Sequence, residues 1–273
     1  MQLGVSSFAF GWAVAAGSPP APAAFTADTL LDFAVAHRVP VIQFGDNLPL
    51  HALADNELAR FGARAHSQAV AIETGARGLT AGHLDRYIAI SRRLDARLLR
   101  FVIDAKEYEP DLTTVTGIIR HALPALRAAN LVLGIENHDR FPCGTLRELI
   151  DGIASEHVGI CLDTANSLGA GEGIGEVLAT LAPVCVNLHV KDFAIQRVPH
   201  AMGFSVSGRS LGHGMLPLAR VVEAVASHGR CRTAVVELWP PPEPDMTATL
   251  AKEMRWAQQS VAVLREALTA LPW

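Results

Sequence analysis

Residues 131–163 read LVLGIENHDRFPCGTLRELIDGIASEHVGICLD, and the reading of this stretch decides the fold. It opens on a short apolar run, breaks at polar residues and proline, and closes on a second apolar run that ends in Asp163. Runs this short, rich in Val, Ile and Leu and bounded by Gly, Asp and Asn, read as buried strands. The segment between them, roughly 145–155, has the period of a helix.

The alternation continues in both directions. Candidate strands are Leu3–Phe8, Val41–Gly45, Val70–Thr74, Leu98–Asp104, Leu131–His138, Val158–Asp163, Val184–Lys191 and Thr233–Leu238. Helix-like segments follow them at roughly 26–38, 55–68, 81–94, 113–129, 145–155, 174–182, 216–229 and 246–269. Thr26 and Asp28, Asp55, and Thr113 supply start signals for three of these. Eight such units of ~34 residues match a (β/α)8 barrel of ~250 residues, so the expectation is one α/β domain, a single-domain (β/α)8 TIM barrel, over residues 1–273. A doubly wound open sheet is the competitor, and it lacks its GxGxxG turn after the first strand.

Composition narrows the partners. The net charge of −4 and the pI near 6.2 argue against nucleic acid, whose phosphates are bound by clustered Lys and Arg. Half the residues are hydrophobic and only 18% charged, which excludes global disorder. The four cysteines, at 143, 161, 185 and 231, form no CxxC pair, so neither a disulfide framework nor a structural zinc site is expected, and a reducing cytoplasmic location is. No run of ~18 apolar residues is available for a membrane span, and the first residues carry no leader pattern. Self-association as a homo-oligomer is left open.

Charges inside apolar strands are the informative residues, because a buried charge is costly unless paired or bound to a metal. The fifth strand carries Glu136 and His138, the sixth Asp163, the seventh His189 and Lys191, and the eighth Glu237. If these side chains point inward they converge at the carboxyl ends of four neighbouring strands, where a barrel places its chemistry. Three carboxylates and one imidazole make a mostly oxygen site for one divalent cation. Mn²⁺ or Mg²⁺ suits it best, and Co²⁺, Fe²⁺ or Zn²⁺ is compatible.

The strings GIENHD, CLDTANSLG, NLHVKDF and VVELW, at residues 134–139, 161–169, 187–193 and 235–239, resemble the xylose isomerase-like TIM-barrel family, which includes sugar epimerases and endonuclease IV-type enzymes. The resemblance spans nearly the whole chain. It implies that Glu136, Asp163, His189 and Glu237 are the metal ligands, and that Glu136 and Glu237 also serve as an acid/base pair. It implies a metal-dependent sugar isomerase or epimerase that acts through an enediolate on a keto-sugar or sugar acid, with a small carbohydrate as partner.

The departures from the family pattern are specific. Asn166 stands where many relatives carry His, no second Glu follows Glu136, and His213 stands where relatives carry an acidic residue. These favour, as the alternative, a lyase that decarboxylates or dehydrates an oxo-sugar derivative. A non-catalytic sugar-binding barrel is the third reading. The endonuclease branch fits worst, because the stretch Arg197–His200 lacks its metal-binding Asp.

Around the metal, Lys191 is the candidate to polarise a carbonyl or stabilise an oxyanion. His138, Asn166 and Gln43 (with Asp46 and Asn47 beside it) suit substrate hydroxyls, and Trp12 with Phe8 and Phe10 suits a sugar face. Glu73 and Arg77 read as an internal ion pair, and Cys161 and Cys185 as buried small hydrophobes. The break at Phe193–Met215 is expected to be a lid loop whose Arg197 and His200 close on the substrate. Gly11–Pro22 and Trp239–Pro244 read as loops.

Overall fold

The computed structural model describes residues 1–16, 25–200 and 202–271. Eight parallel strands close into a barrel: β1 (Gln2–Ser6), β2 (Val41–Gln43), β3 (Ala71–Arg77), β4 (Leu98–Val102), β5 (Val132–Glu136), β6 (Val158–Asp163), β7 (Cys185–Val190) and β10 (Thr233–Val236). β10 pairs with both β7 and β1, which closes the ring. Around it run α2 (Ala27–Ala36), α3 (Asp55–Ser67), α4 (Ala81–Arg93), α5 (Leu112–Ala128), α6 (Cys143–Ile153), α7 (Ile174–Leu181), α8 (Leu218–Ala226) and α9 (Met246–Thr269). The expected strands and helices are all present, with ends displaced by less than one helical turn.

Strand parity separates the two chemistries of the barrel. Ile42, Leu99, Phe101, Leu133, Ile135, Ile160, Leu162, Leu188 and Val236 are buried beneath the helices. Each fully buried side chain of this kind contributes about 1.5–3 kcal/mol. The alternate positions, Gln43, Glu73, Arg100, Glu136, Cys161, Asp163, Asn187, His189 and Thr233, are also buried and hydrogen-bond across the lumen. Gly75 on β3 makes room for one of them: a Cβ there would collide with the Phe44 carbonyl and lie 3.3 Å from Arg100 Cδ.

Two expected loops are ordered elements instead. Most of Phe193–Met215 forms an antiparallel hairpin, β8 (Asp192–Arg197) with β9 (Phe204–Arg209), that stands outside the barrel. Its base is tied down by Asp192, whose carboxylate accepts the backbone N–H groups of Phe193 (2.8 Å), Gly212 (2.9 Å), Gly214 (2.9 Å) and Leu216 (3.0 Å). Two glycines of this segment serve the clamp: Gly212 has φ +84°, and a Cβ at Gly214 would collide with the Asp192 carboxylate. Gly11–Ala16 is a helix, α1, whose Trp12 and Ala13 amides donate to the buried Glu253 carboxylate at 2.8 and 2.9 Å. The remainder of that expected loop, 17–22, lies outside the described residues. Among the described residues no helix is long and apolar enough to cross a membrane.

Candidate active site

The barrel register brings the four strand-end residues together. Glu136 and Asp163 are the last residues of β5 and β6, His189 pairs with Asp163 across β6 and β7, and Glu237 follows β10 directly. His189 Nδ1 lies 3.4 Å from Glu237 Oε1, 3.6 Å from Glu136 Oε2 and 3.9 Å from Asp163 Oδ2, all of them buried. Lys191 stands above, with Nζ 2.8 Å from Asp163 Oδ2 and 2.9 Å from Glu237 Oε2. Lys191 therefore serves this cluster, while Asp192 belongs to the hairpin clamp.

The carboxylates are not equivalent. Glu136 is held on both oxygens: Asn166 Nδ2 donates to Oε1 at 2.8 Å, and Arg100 Nε donates to Oε2. Asp163 Oδ1 accepts the amides of Ala165 and Asn166 at 2.8 and 2.9 Å. His189 Nδ1 and Glu237 Oε1 have no hydrogen-bond partner despite full burial, and Asp163 Oδ2 and Glu237 Oε2 are reached only by Lys191 as ion pairs. Burial would raise Glu237, but the charges of His189, Lys191 and Arg100 outweigh it and hold the carboxyl at about 2. The same balance, led by Arg100 against burial, keeps Glu136 below the usual carboxylate range. Lys191 is raised, because Asp163 and Glu237 outweigh the desolvation that would lower it.

Buried acceptors without donors are costly, and these converge on one point. Asp163, His189 and Glu237 form one group that could hold a metal ion, and Glu136, Cys161 and His189 form another. The oxygen-rich first group fits a hard divalent cation. Cys161 fits less well, since burial raises its thiol well above the ordinary range and its Sγ–H donates to Asn187 Oδ1 at 3.0 Å. It is buried as expected, but as a hydrogen-bond donor in the lumen.

Several expected substrate groups have other partners. Gln43 is buried and hydrogen-bonds His189 Nε2 through Oε1 at 2.5 Å, so it holds a candidate ligand. His138 sits on the rim between Asp139 and Arg77 Nη2, the latter at 3.2 Å. Asn166 does line the site, between Glu136 and Lys191. Trp12 donates its indole N–H to Pro240 O at 2.8 Å and lines an apolar cavity of about 580 Å³ with Phe8, Leu238 and Trp239. A smaller cavity, about 280 Å³, opens over the cluster itself between Phe8, Ala165, Asn166, Lys191, Leu238 and Trp239. Arg197 and His200 are not brought to it. Both are exposed toward the far end of the hairpin, where Arg197 lies 4.8 Å over the Phe204 ring.

The expected Glu73–Arg77 pair does not form. Glu73 bonds Thr233, Gln43 and Asn187 in the lumen, while Arg77 faces Asp46 at 3.4 Å. Arg100 is the site residue that sequence reasoning missed. Its signal was a lone charge within Leu-Leu-Arg-Phe-Val, the same kind of signal that marked the other four strands.

The family model of the xylose isomerase-like TIM barrel matches residues 51–267, and the chain belongs to that family. Within it, the chain is 31% identical over 264 residues to the 3-oxo-isoapionate decarboxylase of Pectobacterium atrosepticum, covering 97% of this chain and 95% of that one. The fold is shared with D-psicose 3-epimerase from Clostridium cellulolyticum H10, solved with D-tagatose, at TM-score 0.74 and 14% identity over 98% of this chain and 99% of that one. It is also shared with a xylose isomerase-like barrel from Mycobacterium smegmatis in complex with magnesium, at TM-score 0.67 and 14% identity over 98% and 97% of the two chains.

Proposed function

We propose that this protein is a divalent-metal-dependent carbon–carbon lyase that decarboxylates an oxo-sugar acid. The observation that carries the reading is the pair of buried cations, Arg100 and Lys191, set among Glu136, Asp163 and Glu237. With His189 presenting a neutral ring to an ion, three carboxylates against two cations leave one negative charge, since Asp46 and Arg77 at the rim offset one another. A bound divalent ion turns that balance to one positive charge, which a substrate carboxylate neutralises and a neutral ketose does not. The likeness to a decarboxylase over nearly the full chain supports the same class.

Asp163, His189 and Glu237, with Glu136 beside them, would hold one ion, for which Mn²⁺ or Mg²⁺ suits the oxygen donors best. When bound, the ion supplies Lewis-acid polarisation of the substrate carbonyl and an adjacent oxygen. Lys191 is the charged hydrogen donor among the residues lining the cavity, and it steadies the oxyanion that develops as the bond to the carboxyl carbon breaks and CO₂ departs. Glu136 and Glu237 are held ionised and Lys191 is held protonated, so the proton that replaces CO₂ on carbon comes from solvent rather than from either glutamate. Asn166 orients Glu136, and Phe8, Leu238 and Trp239 limit water over the reacting carbon.

A second reading, epimerisation or isomerisation, is favoured by the two glutamates flanking His189, which suit proton transfer on opposite faces of one carbon. One experiment separates the two. The protein is incubated with Mn²⁺ in D₂O and a panel of ketoses and 3-oxo-sugar acids. Release of CO₂ from an oxo acid, with one deuteron at the new C–H, supports the lyase. Deuterium in a ketose that keeps all its carbons supports the epimerase instead.

A further inference from the structure

We infer that Gln43 and Glu73 are positioning residues: a hydrogen-bond chain across the barrel lumen holds the His189 ring with Nε2 as its hydrogen donor and Nδ1 turned toward the three carboxylates. Glu73 accepts Thr233 Oγ1 at 2.7 Å on one oxygen, and Gln43 Nε2 at 2.9 Å and Asn187 Nδ2 at 3.3 Å on the other. Having given its hydrogen to Glu73, the Thr233 hydroxyl accepts Asn187 Nδ2 at 2.6 Å. Asn187 Oδ1 in turn accepts Cys161 Sγ–H and Gln43 Nε2, both at 3.0 Å. Both amide hydrogens of Gln43 are therefore committed, and only its Oε1 faces His189 Nε2.

An amide oxygen has lone pairs and no hydrogen, so the ring nitrogen must donate. Turning the Gln43 amide over would set its oxygen against Glu73 Oε2 and Asn187 Oδ1, acceptors against acceptors in a buried lumen, at a cost of about 1–3 kcal/mol for each group left unsatisfied. Residues on β2, β3, β7 and β10 thus fix which nitrogen of His189 is presented. A ring nitrogen binds a metal through its bare lone pair, and a partner on the other N–H sets which one that is.

The affinity consequence rests on the metal site proposed above; the ring orientation does not. The test is nitrogen NMR of histidine-labelled protein without metal at about pH 8.5, where Glu73 is ionised and only accepts, together with Mn²⁺ affinity by chelator competition at the same pH. In the wild type, His189 Nε2 is expected to carry hydrogen; a ring with hydrogen on Nδ1 alone overturns the inference. Glu73→Gln keeps the shape but offers Gln43 an N–H, so its amide can turn and the hydrogen should move to His189 Nδ1. Gln43→Leu should release the ring and weaken Mn²⁺ binding by ~10–100-fold. Wild-type ring signals and affinity in both variants overturn the inference. If Gln43→Leu does not fold, the isosteric Glu73→Gln decides alone. A wild type that binds no divalent ion, yet keeps hydrogen on Nε2, sinks the metal reading while supporting this one.

Discussion

The lumen of the barrel holds two buried polar layers that obey opposite rules. On the amino-terminal side, Gln43, Glu73, Asn187 and Thr233 meet donor to acceptor, and none of their side-chain atoms is left without a partner. At the carboxyl-terminal mouth, His189 Nδ1 and Glu237 Oε1 are buried with no hydrogen-bond partner, and Asp163 Oδ2 and Glu237 Oε2 have only the ion pairs to Lys191. Burial is equal and residue types overlap, so neither marks function. The difference is satisfaction: the lower layer is complete as structure, whereas the mouth relies on Lys191 for two of its atoms and leaves His189 Nδ1 and Glu237 Oε1 unpartnered.

Breaking the mouth should have the largest effect. Glu237→Gln keeps an oxygen but removes its charge, and turnover of the substrate found in the D₂O panel should fall by ~10²–10⁴, with folding unaffected in denaturant titration. Arg100→Met leaves Glu136 buried without its cation, which should cost about 3–5 kcal/mol of stability by urea unfolding. Adding Glu136→Gln to that variant should restore most of the loss. Two single costs that simply add would show that the pair does not behave as a unit.

The lower layer should respond to pH rather than to substrate. Burial raises Glu73 to about 7 from 4.5 against the pull of Thr233, Gln43 and Asn187. The folded state then binds more protons than the unfolded state between those values. Its contribution to stability is full below about pH 4.5 and is lost as pH rises through 7, by up to roughly 3 kcal/mol. Glu73→Gln should flatten that decline in thermal melts between pH 4.5 and 8; an unchanged slope would assign it to other groups. The smallest effect belongs to the hairpin. Arg197→Ala should leave kcat/KM within about 0.5 kcal/mol equivalent of wild type, because Arg197 is exposed over Phe204 and away from the cluster. A tenfold loss there would show that the hairpin folds over the substrate.

The sequence was most legible where period and burial agree. Short apolar runs against helical segments located all eight barrel strands, and charges at the ends of β5, β6, β7 and β10 marked the mouth. The lower layer was less legible because Gln43, Asn187 and Thr233 are uncharged, and their partners lie 30 to 160 residues away in the chain. Arg100 had a readable signal but a partner 36 residues on, and nothing local distinguishes a counterion from a substrate contact. The hairpin was hidden by its glycines and Pro199, although Phe204-Ser-Val206-Ser carries a period-2 pattern. The role of Asp192 depends on backbone amides, which no side-chain pattern announces.

The central claim is that the unsatisfied atoms at the mouth form a site for one divalent cation. Calorimetric titration of the metal-stripped protein with Mn²⁺ tests it most directly. The account predicts one ion per chain, a rise in melting temperature with occupancy, and loss of both in His189→Ala and Asp163→Asn. A wild-type protein that takes up no ion, or variants that bind as tightly as wild type, would contradict it.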